Sequence, residues 1–184
     1  MSNHGEFVNW FRLKEQAAQQ GGLAAAIYHT LDYGSSWTLL GQMNINLGIS
    51  GLAYAPQNSH FILASLKDNS MLNTWLFRSQ DGGATWEDWS TGGWRLYGAK
   101  VSLAIDDLGT AYAGNGFGVF RRLPHQAAWE PFWVDDLSKL RIQALVYISG
   151  PAPKLLAATD HALWRLNLPP IQRTWLPLIR ASVP

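Results

Sequence analysis

Tryptophan recurs along this sequence at a spacing that matches the length of a small antiparallel sheet. The residues Trp37, Trp86, Trp129 and Trp175 lie 49, 43 and 46 positions apart. Sequence repeats of this length are typical of the four-stranded blades of propeller folds. The periodic tryptophans therefore predict an array of about four repeated β-units.

The first two tryptophans end the same eight-residue pattern, Ser/Thr-x-Asp-x-Gly-x-Ser/Thr-Trp. Octet one contains Thr30, Asp32, Gly34, Ser36 and Trp37, and octet two contains Ser79, Asp81, Gly83, Thr85 and Trp86. An Asp can accept hydrogen bonds from the backbone of its own turn. Gly takes a conformation that a Cβ would penalise, and Trp packs against the flank of the unit. We therefore predict that both Asp residues are turn staples and not catalysts.

These octets resemble the Asp-box, also called the BNR repeat, of sialidases, sortilin-type receptors and photosystem II stability/assembly factor-like proteins. Two further copies, residues 122–129 and 168–175, keep the Trp in phase but lose the Asp and the Gly. The resemblance implies an all-β propeller, or a partial propeller of about four Asp-box blades. It also implies that the octets lie away from the ligand face.

Short runs of β-branched and aromatic residues, bounded by Gly, Pro, Asn or Asp, fill each repeat and predict its strands. They divide the propeller region, residues 23–184, into a half unit at 23–41 and units at 49–91, 101–133 and 142–179. The half unit contains only two predicted strands, Leu23–Thr30 and Ser36–Leu40. The last predicted strand of the array is Thr174–Ile179.

Residues 1–22 follow a different pattern. Phe7, Trp10, Phe11 and Lys14 recur at helical spacing, and Gly21-Gly22 gives a stop signal. The spacing predicts a short amphipathic N-terminal helix in the place of the missing strands. Either this helix packs on its own propeller, or Phe7, Trp10 and Phe11 dock into a groove of a partner.

Composition excludes several classes of function. The chain has no cysteine, so disulfides, zinc–thiolate sites and cysteine nucleophiles are excluded. A formal net charge of +1 argues against electrostatic binding to nucleic acid or to a membrane surface. No signal-like segment and no apolar run long enough to span a bilayer occurs, which predicts a cytoplasmic protein.

No catalytic constellation stands out. The sialidase resemblance implies three arginines, a Tyr–Glu pair and an Arg-Ile-Pro-like segment, and that segment is missing. Arg78, Arg121 and Arg165 occupy matching places in the repeats, which is typical of repeat-surface positions. The adjacent carboxylates Asp106-Asp107 and Asp135-Asp136 read as solvated turn residues. Metal-ligand spacing and cofactor motifs are also missing, and residues 114–118 predict a hairpin turn.

The remaining candidates lie on predicted loops at one face. Trp94, Arg95 and Tyr97 cluster in one of these loops, and these residue types anchor protein interfaces or stack on sugar rings. The main interpretation is a non-catalytic protein-interaction module, a scaffold or accessory subunit that binds a protein partner or itself. The alternative is a carbohydrate-binding or glycosidase-like propeller. A third interpretation is that the chain is a piece of a longer propeller.

Overall fold

The computed structural model describes residues 10–17, 23–43, 47–67, 73–91, 101–133 and 141–169, and these residues form an all-β structure. The all-β prediction is therefore confirmed for this part of the chain. Its strands, in chain order, are β1 (Trp10–Ala17), β2 (Leu23–Thr30), β3 (Thr38–Met43), β4 (Gly48–Ala55), β5 (Asn58–Lys67), β6 (Thr74–Ser79), β7 (Glu87–Asp88), β8 (Ser102–Ile105), β9 (Ala111–Asn115), β10 (Gly118–Arg122), β11 (Glu130–Trp133), β12 (Ile142–Ile148), β13 (Lys154–Thr159) and β14 (Leu163–Asn167).

The strands form four antiparallel sheets that follow one another along the chain. The first sheet contains β1–β3, the second β4–β7, the third β8–β11 and the fourth β12–β14. Every strand pairs with its neighbour in sequence, so each sheet is a meander joined by hairpins. The β9–β10 hairpin shows why the chain turns there. Asn115 Oδ1 accepts a hydrogen bond from Phe117 N–H at 2.8 Å, and Gly118 has a φ of 117°, which favours glycine.

Each pair of consecutive sheets shares a hydrophobic core. Ile27 and Met43 of the first sheet meet Ala64 and Leu66 of the second. The second and third sheets bury a larger core, and the third and fourth bury another. The core between the second and third sheets includes Leu63, Leu76, Trp89, Leu103, Ala113 and Phe120. The core between the third and fourth sheets includes Ala104, Tyr112, Val119, Leu145, Leu155 and Ala157. The four sheets therefore stack face to face as a continuous array.

The predicted N-terminal helix is wrong for residues 10–17, which form strand β1. All eight residues of β1 pair with β2, from Trp10 opposite Thr30 to Ala17 opposite Leu23. A lone helix of about 15 residues is marginal in water, whereas pairing along the whole of β2 supplies a full ladder of backbone hydrogen bonds. The rest of segment 1–22, including Phe7, lies outside the described residues.

The first repeat is consequently more complete than its sequence suggested. Octet one follows β2 and octet two follows β6, so β1 corresponds to β5, the second strand of the second sheet. β2 and β3 correspond in the same way to β6 and β7. Among the described strands, only β4 has no counterpart in the first sheet. The strand predicted at Thr174–Ile179 lies outside the described residues.

The described residues contain no helix that is long and apolar enough to cross a membrane.

Candidate functional site

Octet one closes the β2–β3 turn around the carboxylate of Asp32. Ser36 donates to it twice, from its backbone N–H to Oδ1 at 2.8 Å and from its hydroxyl to Oδ2 at 2.6 Å. The hydroxyl of Thr30 donates to Asp32 Oδ1 at 2.7 Å and accepts from Gly34 N–H at 2.9 Å. Trp37 Nε1 donates to the carbonyl oxygen of Gly34 at 3.1 Å. The conserved positions of the pattern are thus joined in one network of the turn's own hydrogen bonds.

Octet two repeats this network in the β6–β7 turn. Thr85 donates to Asp81 from its N–H at 2.9 Å and from its hydroxyl at 2.5 Å. Gly83 N–H donates to Ser79 Oγ at 2.7 Å, and Trp86 Nε1 donates to Gly83 O at 2.9 Å. Gly83 has a φ of 100°, a conformation that would strain any residue with a Cβ.

The hydrogen bonds lower the pKa of both octet carboxyls from 3.8 to about 2. The largest cause is the hydroxyl of Ser36 for Asp32 and the hydroxyl of Thr85 for Asp81. Both side chains are therefore ionised at neutral pH with their oxygens occupied by the turn. A carboxylate committed in this way is a poor candidate for proton transfer.

The depressed pKa predicts a pH dependence for the variant Asp81→Asn. A carboxyl with a lowered folded-state pKa contributes stability above its ordinary pKa, and that stability is lost as the pH falls through the folded value. We expect Asp81→Asn to lower the thermal midpoint at neutral pH. This difference from the wild type should shrink between about pH 4 and pH 2, measured by circular dichroism melts. A difference that stays constant down to pH 2 would contradict the role of Asp81 as an ionised staple.

The turns between third and fourth strands also join neighbouring sheets. A Cβ added to Gly41 of β3 would lie 1.8 Å from the carbonyl oxygen of Gly83, so octet two sits directly on the first sheet. In the same way, the turn at residues 122–129 of the third sheet contacts the second sheet, which precedes it. Arg122 Nη1 and Trp129 Nε1 both donate to the carbonyl oxygen of Trp89, at 2.7 and 3.0 Å. The decayed octet thus keeps its Trp because that Trp holds the preceding sheet.

An aromatic cluster surrounds Trp89 at this junction. Its ring meets Phe61 and Trp129 edge to face, with centroids 6.0 and 5.4 Å apart. The guanidinium of Arg122 lies 4.1 Å from the centroid of the same ring, and burial lowers the pKa of Arg122. Cation–π stacking and two hydrogen bonds to carbonyl groups compensate this buried charge. The cluster is part of the core between the second and third sheets.

Two of the three arginines at matching repeat positions, Arg78 and Arg121, form ion pairs. Arg78 pairs with Glu87, and Arg121 pairs with Glu130 at 2.6 Å. Both pairs link the third strand of a sheet to its fourth, which explains the matching positions of the two arginines. The bond to Arg121 also lowers the pKa of Glu130. These two arginines therefore do not converge on a common substrate carboxylate.

A polar cluster around Asp106 and Asp107 joins the third sheet to the fourth. The sequence interpretation of these two residues as solvated turn residues is wrong for Asp106. Asp106 is only 7% exposed. Its Oδ1 accepts from the N–H groups of Leu108 and Thr110 at 2.9 and 2.8 Å. Its Oδ2 accepts from the hydroxyl of Tyr112 at 3.0 Å. Asp106 therefore holds the β8–β9 turn in much the same way as the octet carboxylates hold theirs.

Asp107 faces the fourth sheet and is less fully occupied. Its Oδ2 accepts hydrogen bonds from the hydroxyls of Tyr147, at 2.9 Å, and of Ser149, at 2.5 Å. Its Oδ1 is buried and has no hydrogen-bond partner among the described residues. The adjacent Leu108 is 61% exposed, and Ser149 is exposed. We call the group Asp106, Asp107, Tyr112, Tyr147 and Ser149 the carboxylate junction.

The tyrosines of the carboxylate junction stay protonated donors. Burial, followed by the hydrogen bond to Asp107, raises the pKa of Tyr147 to about 12. Burial, followed by the charge of Asp106, raises the pKa of Tyr112 as well. The junction thus combines carboxyl oxygens that accept hydrogen bonds with hydroxyl groups that donate them. This arrangement suits recognition of a ligand rich in hydroxyl groups.

Most of the sequence-predicted binding residues are not among the residues that the structure describes. Phe7, Trp94, Arg95 and Tyr97 lie outside the described residues. Trp10 and Phe11 lie at the start of β1 in the first sheet. Sequence reasoning named Asp106-Asp107 but missed Tyr112, Tyr147 and Ser149. The alternation of buried and exposed positions in β12, with Leu145 and Tyr147 on the face toward the third sheet, is the signal that could have indicated Tyr147.

Within the part of the chain that the structure describes, no three His, Asp or Glu side chains are grouped so that they could hold a metal ion.

The sequence matches no family model and no curated protein, but the fold is similar to solved structures. A gluconolactonase from Xanthomonas campestris matches with a TM-score of 0.51 and 13% identity over 83% of this chain and 55% of its own. A Hadza microbial sialidase matches at 0.50 and 16%, over 83% and 36%. An ancestral GH74 enzyme matches at 0.48 and 14%, over 86% and 25%. This chain therefore spans between a quarter and about half of the length of these proteins.

The gluconolactonase and the sialidase are propeller folds with repeated blades, and the described residues of this chain resemble them as an all-β series of small antiparallel sheets. The interpretation as a non-catalytic scaffold is corrected by this finding. The proteins that share the fold are named as enzymes, which favours the carbohydrate-binding or glycosidase-like alternative.

Proposed function

We propose that this chain is a carbohydrate-binding propeller unit whose ligand is held at the carboxylate junction between the third and fourth sheets. The observation that carries the proposal is the carboxylate of Asp107. Its Oδ2 accepts hydrogen bonds from the hydroxyls of Tyr147 and of Ser149, and Ser149 is exposed. Because Oδ1 is buried, a ligand hydroxyl would reach Asp107 at Oδ2, beside the Ser149 hydroxyl or in its place.

The surroundings of Asp107 suit a sugar. Ser149 is exposed, so a ligand hydroxyl can join it or replace it as a donor to Asp107. Leu108, next in sequence and 61% exposed, offers an apolar contact for the C–H face of a pyranose ring. A fixed negative charge repels an acidic ligand. We therefore propose neutral glycans as the ligand class, and acidic sugars as weak competitors. The names of the gluconolactonase and the sialidase suggested sugars as the class to test, and at their low identity the likeness itself concerns the fold.

We further propose that the chain binds glycans without hydrolysing them. Glycoside hydrolysis needs two carboxyl groups about 5–10 Å apart on either side of the scissile bond. Asp106 and Asp107 are adjacent in the same turn, and both oxygens of Asp106 are taken up by its own hairpin. The same glycans incubated with the protein should release no new reducing ends above the buffer control.

We also infer that the repeats are of the Asp-box type. Two turns with the same spacing share the carboxylate, hydroxyl, glycine and tryptophan hydrogen bonds described above. Trp94, Arg95 and Tyr97 remain a second candidate binding group on sequence grounds.

The test of the binding proposal is isothermal titration of cellotetraose, a neutral probe, into the wild type and Asp107→Asn. The substitution keeps the shape and removes the charge. Hydrogen bonds to a charged group contribute about 1.5–3 kcal/mol, so we expect the dissociation constant to rise at least tenfold, which is about 1.4 kcal/mol. Asp160→Asn, at an exposed carboxylate in the β13–β14 turn, is the matched control and should bind like the wild type.

Two results would contradict the proposal that a glycan binds at Asp107. One is the absence of saturable binding across a panel of neutral glycans. The other is binding that is unchanged in Asp107→Asn but lost in Trp94→Ala, which would place the ligand with the second candidate group.

A further inference from the structure

The two ends of the sheet array carry apolar surfaces that no described residue covers. The side chains on the outer face of the first sheet can be identified by comparison with the second sheet, because the two octets lie 49 positions apart in the sequence. Tyr28 and Trp37 correspond to Phe77 and Trp86, and these two pack against the first sheet. Tyr28 and Trp37 therefore lie on the face of the first sheet that points away from the second. Leu39, on the same face as Trp37, is 50% exposed.

The two octet glycines show the difference between a covered and an open face. A Cβ added to Gly83 would lie 2.8 Å from the side chain of Leu40 in the preceding sheet. A Cβ added to Gly34 would meet no atom of the described residues within 4 Å outside its own octet. The first sheet thus has the aromatic residues and the glycine of a sheet-docking face, but none of the described residues is docked on it. We call Tyr28, Gly34, Trp37 and Leu39 the first end face.

The fourth sheet has an exposed, mainly apolar face at the other end, which also carries Arg165 opposite Leu156. Leu145 and Leu155 point toward the third sheet and are buried, so their strand neighbours Val146 and Leu156 point away from it. Val146 and Leu156 are paired across β12 and β13. Val146 is 52% exposed, and Leu163 of β14 is 69% exposed. We call Val146, Leu156 and Leu163 the last end face.

We propose that the first end face of one chain packs against the last end face of a second copy. Within one chain the two faces do not cover each other, since Leu39, Val146 and Leu163 all remain exposed. The proposed contact continues the sheet-on-sheet packing that already joins all four sheets. Exposed apolar surface of this kind marks an interaction site. Because the surfaces differ, two copies that exchange this contact reciprocally form a closed ring with two equal interfaces.

The length comparison agrees with a second copy as the occupant. This chain matches 55% of the gluconolactonase, which is itself a propeller with repeated blades. Two copies would therefore supply about the number of blades in a ring of that length. The inference concerns assembly and does not depend on carbohydrate binding.

The experiment is size-exclusion chromatography with light scattering on the purified chain and on Leu39→Arg. We expect the wild type to have twice the 20.5 kDa mass of one chain. Leu39→Arg should raise the dimer dissociation constant at least tenfold without a loss of folded signal in circular dichroism, because Leu39 is half exposed. Leu108→Arg, at a comparably exposed leucine in the third sheet, is the control and should remain dimeric.

A monomeric wild type at concentrations up to about 100 μM, a concentration at which even weak dimers with micromolar constants form, would overturn the proposal. A dimer that survives Leu39→Arg would do the same. Because the sequence has no cysteine, a disulfide formed by a single introduced cysteine can only join two chains. If Leu39→Cys chains cross-link to each other as a disulfide dimer, the first sheets meet one another and the last sheet is not the occupant.

Discussion

Replacing Trp89 by alanine is expected to lower the free energy of unfolding by about 3–5 kcal/mol. Trp89 is 2% exposed and forms the centre of the core between the second and third sheets. The substitution removes the ring that Phe61 and Trp129 contact and that Arg122 stacks on. The hydrogen bonds to the carbonyl oxygen of Trp89 can persist, so the loss reports packing. Urea unfolding followed by circular dichroism measures it.

Trp89→Phe separates packing from polarity at the same site. The indole Nε1 of Trp89 is buried without a hydrogen-bond partner in the described part of the chain. Phenylalanine removes this unsatisfied donor and keeps an aromatic ring for Arg122, so its cost should be well below that of alanine. Phe117→Ala, at a side chain 55% exposed, should change stability by less than about 0.5 kcal/mol. Equal losses for Trp89→Ala and Phe117→Ala would contradict the assignment of Trp89 to the core.

Gly41→Ala is expected to separate the first sheet from the second. The new methyl group would lie 1.8 Å from the carbonyl oxygen of Gly83 and 2.9 Å from its carbonyl carbon. Both atoms are backbone atoms of octet two, whose turn is closed by its own hydrogen bonds and cannot move without breaking them. Overpacking usually costs 1–3 kcal/mol, and we expect a loss of about 3 kcal/mol in urea unfolding.

Gly116→Ala is the matched control for this substitution. A Cβ at Gly116 would meet no atom within 4 Å among the described residues, and its φ does not lie in the left-handed region. Alanine there should leave stability unchanged or raise it by a few tenths of a kcal/mol, since it restricts the unfolded chain. If Gly41→Ala is as stable as Gly116→Ala, octet two does not clamp the first sheet as described.

The sequence was most informative where local chemistry determines structure. The residue types of the octets predict turn staples, and Asp32 and Asp81 accept hydrogen bonds from their own turns. Strand β2 has its predicted bounds, Leu23–Thr30, because strand-forming residues and the turn residues that bound them are local signals. The hairpin at residues 114–118 was predicted correctly for the same reason.

Features that depend on distant partners were missed. Strand β1 has a sequence with helical spacing, and its pairing with β2 overrides that spacing. Asp106 and Asp107 looked like solvated turn residues because their burial depends on Tyr112 and on Tyr147 of another sheet. Contacts between residues 40 positions apart are invisible to a local pattern. The arginine pairs were indicated only as repeated positions, since their glutamates lie on the next strand.

The most direct test of ligand binding at the carboxylate junction is hydrogen exchange of the chain with and without saturating cellotetraose. Binding at Asp107 predicts slower exchange in the β8–β9 turn, residues 106–110, and at the end of β12, residues 147–150. The octet turns at residues 30–37 and 79–86 should exchange at the same rate in both states. Protection confined to residues 92–100, or no protection anywhere in the chain, would contradict the proposed site.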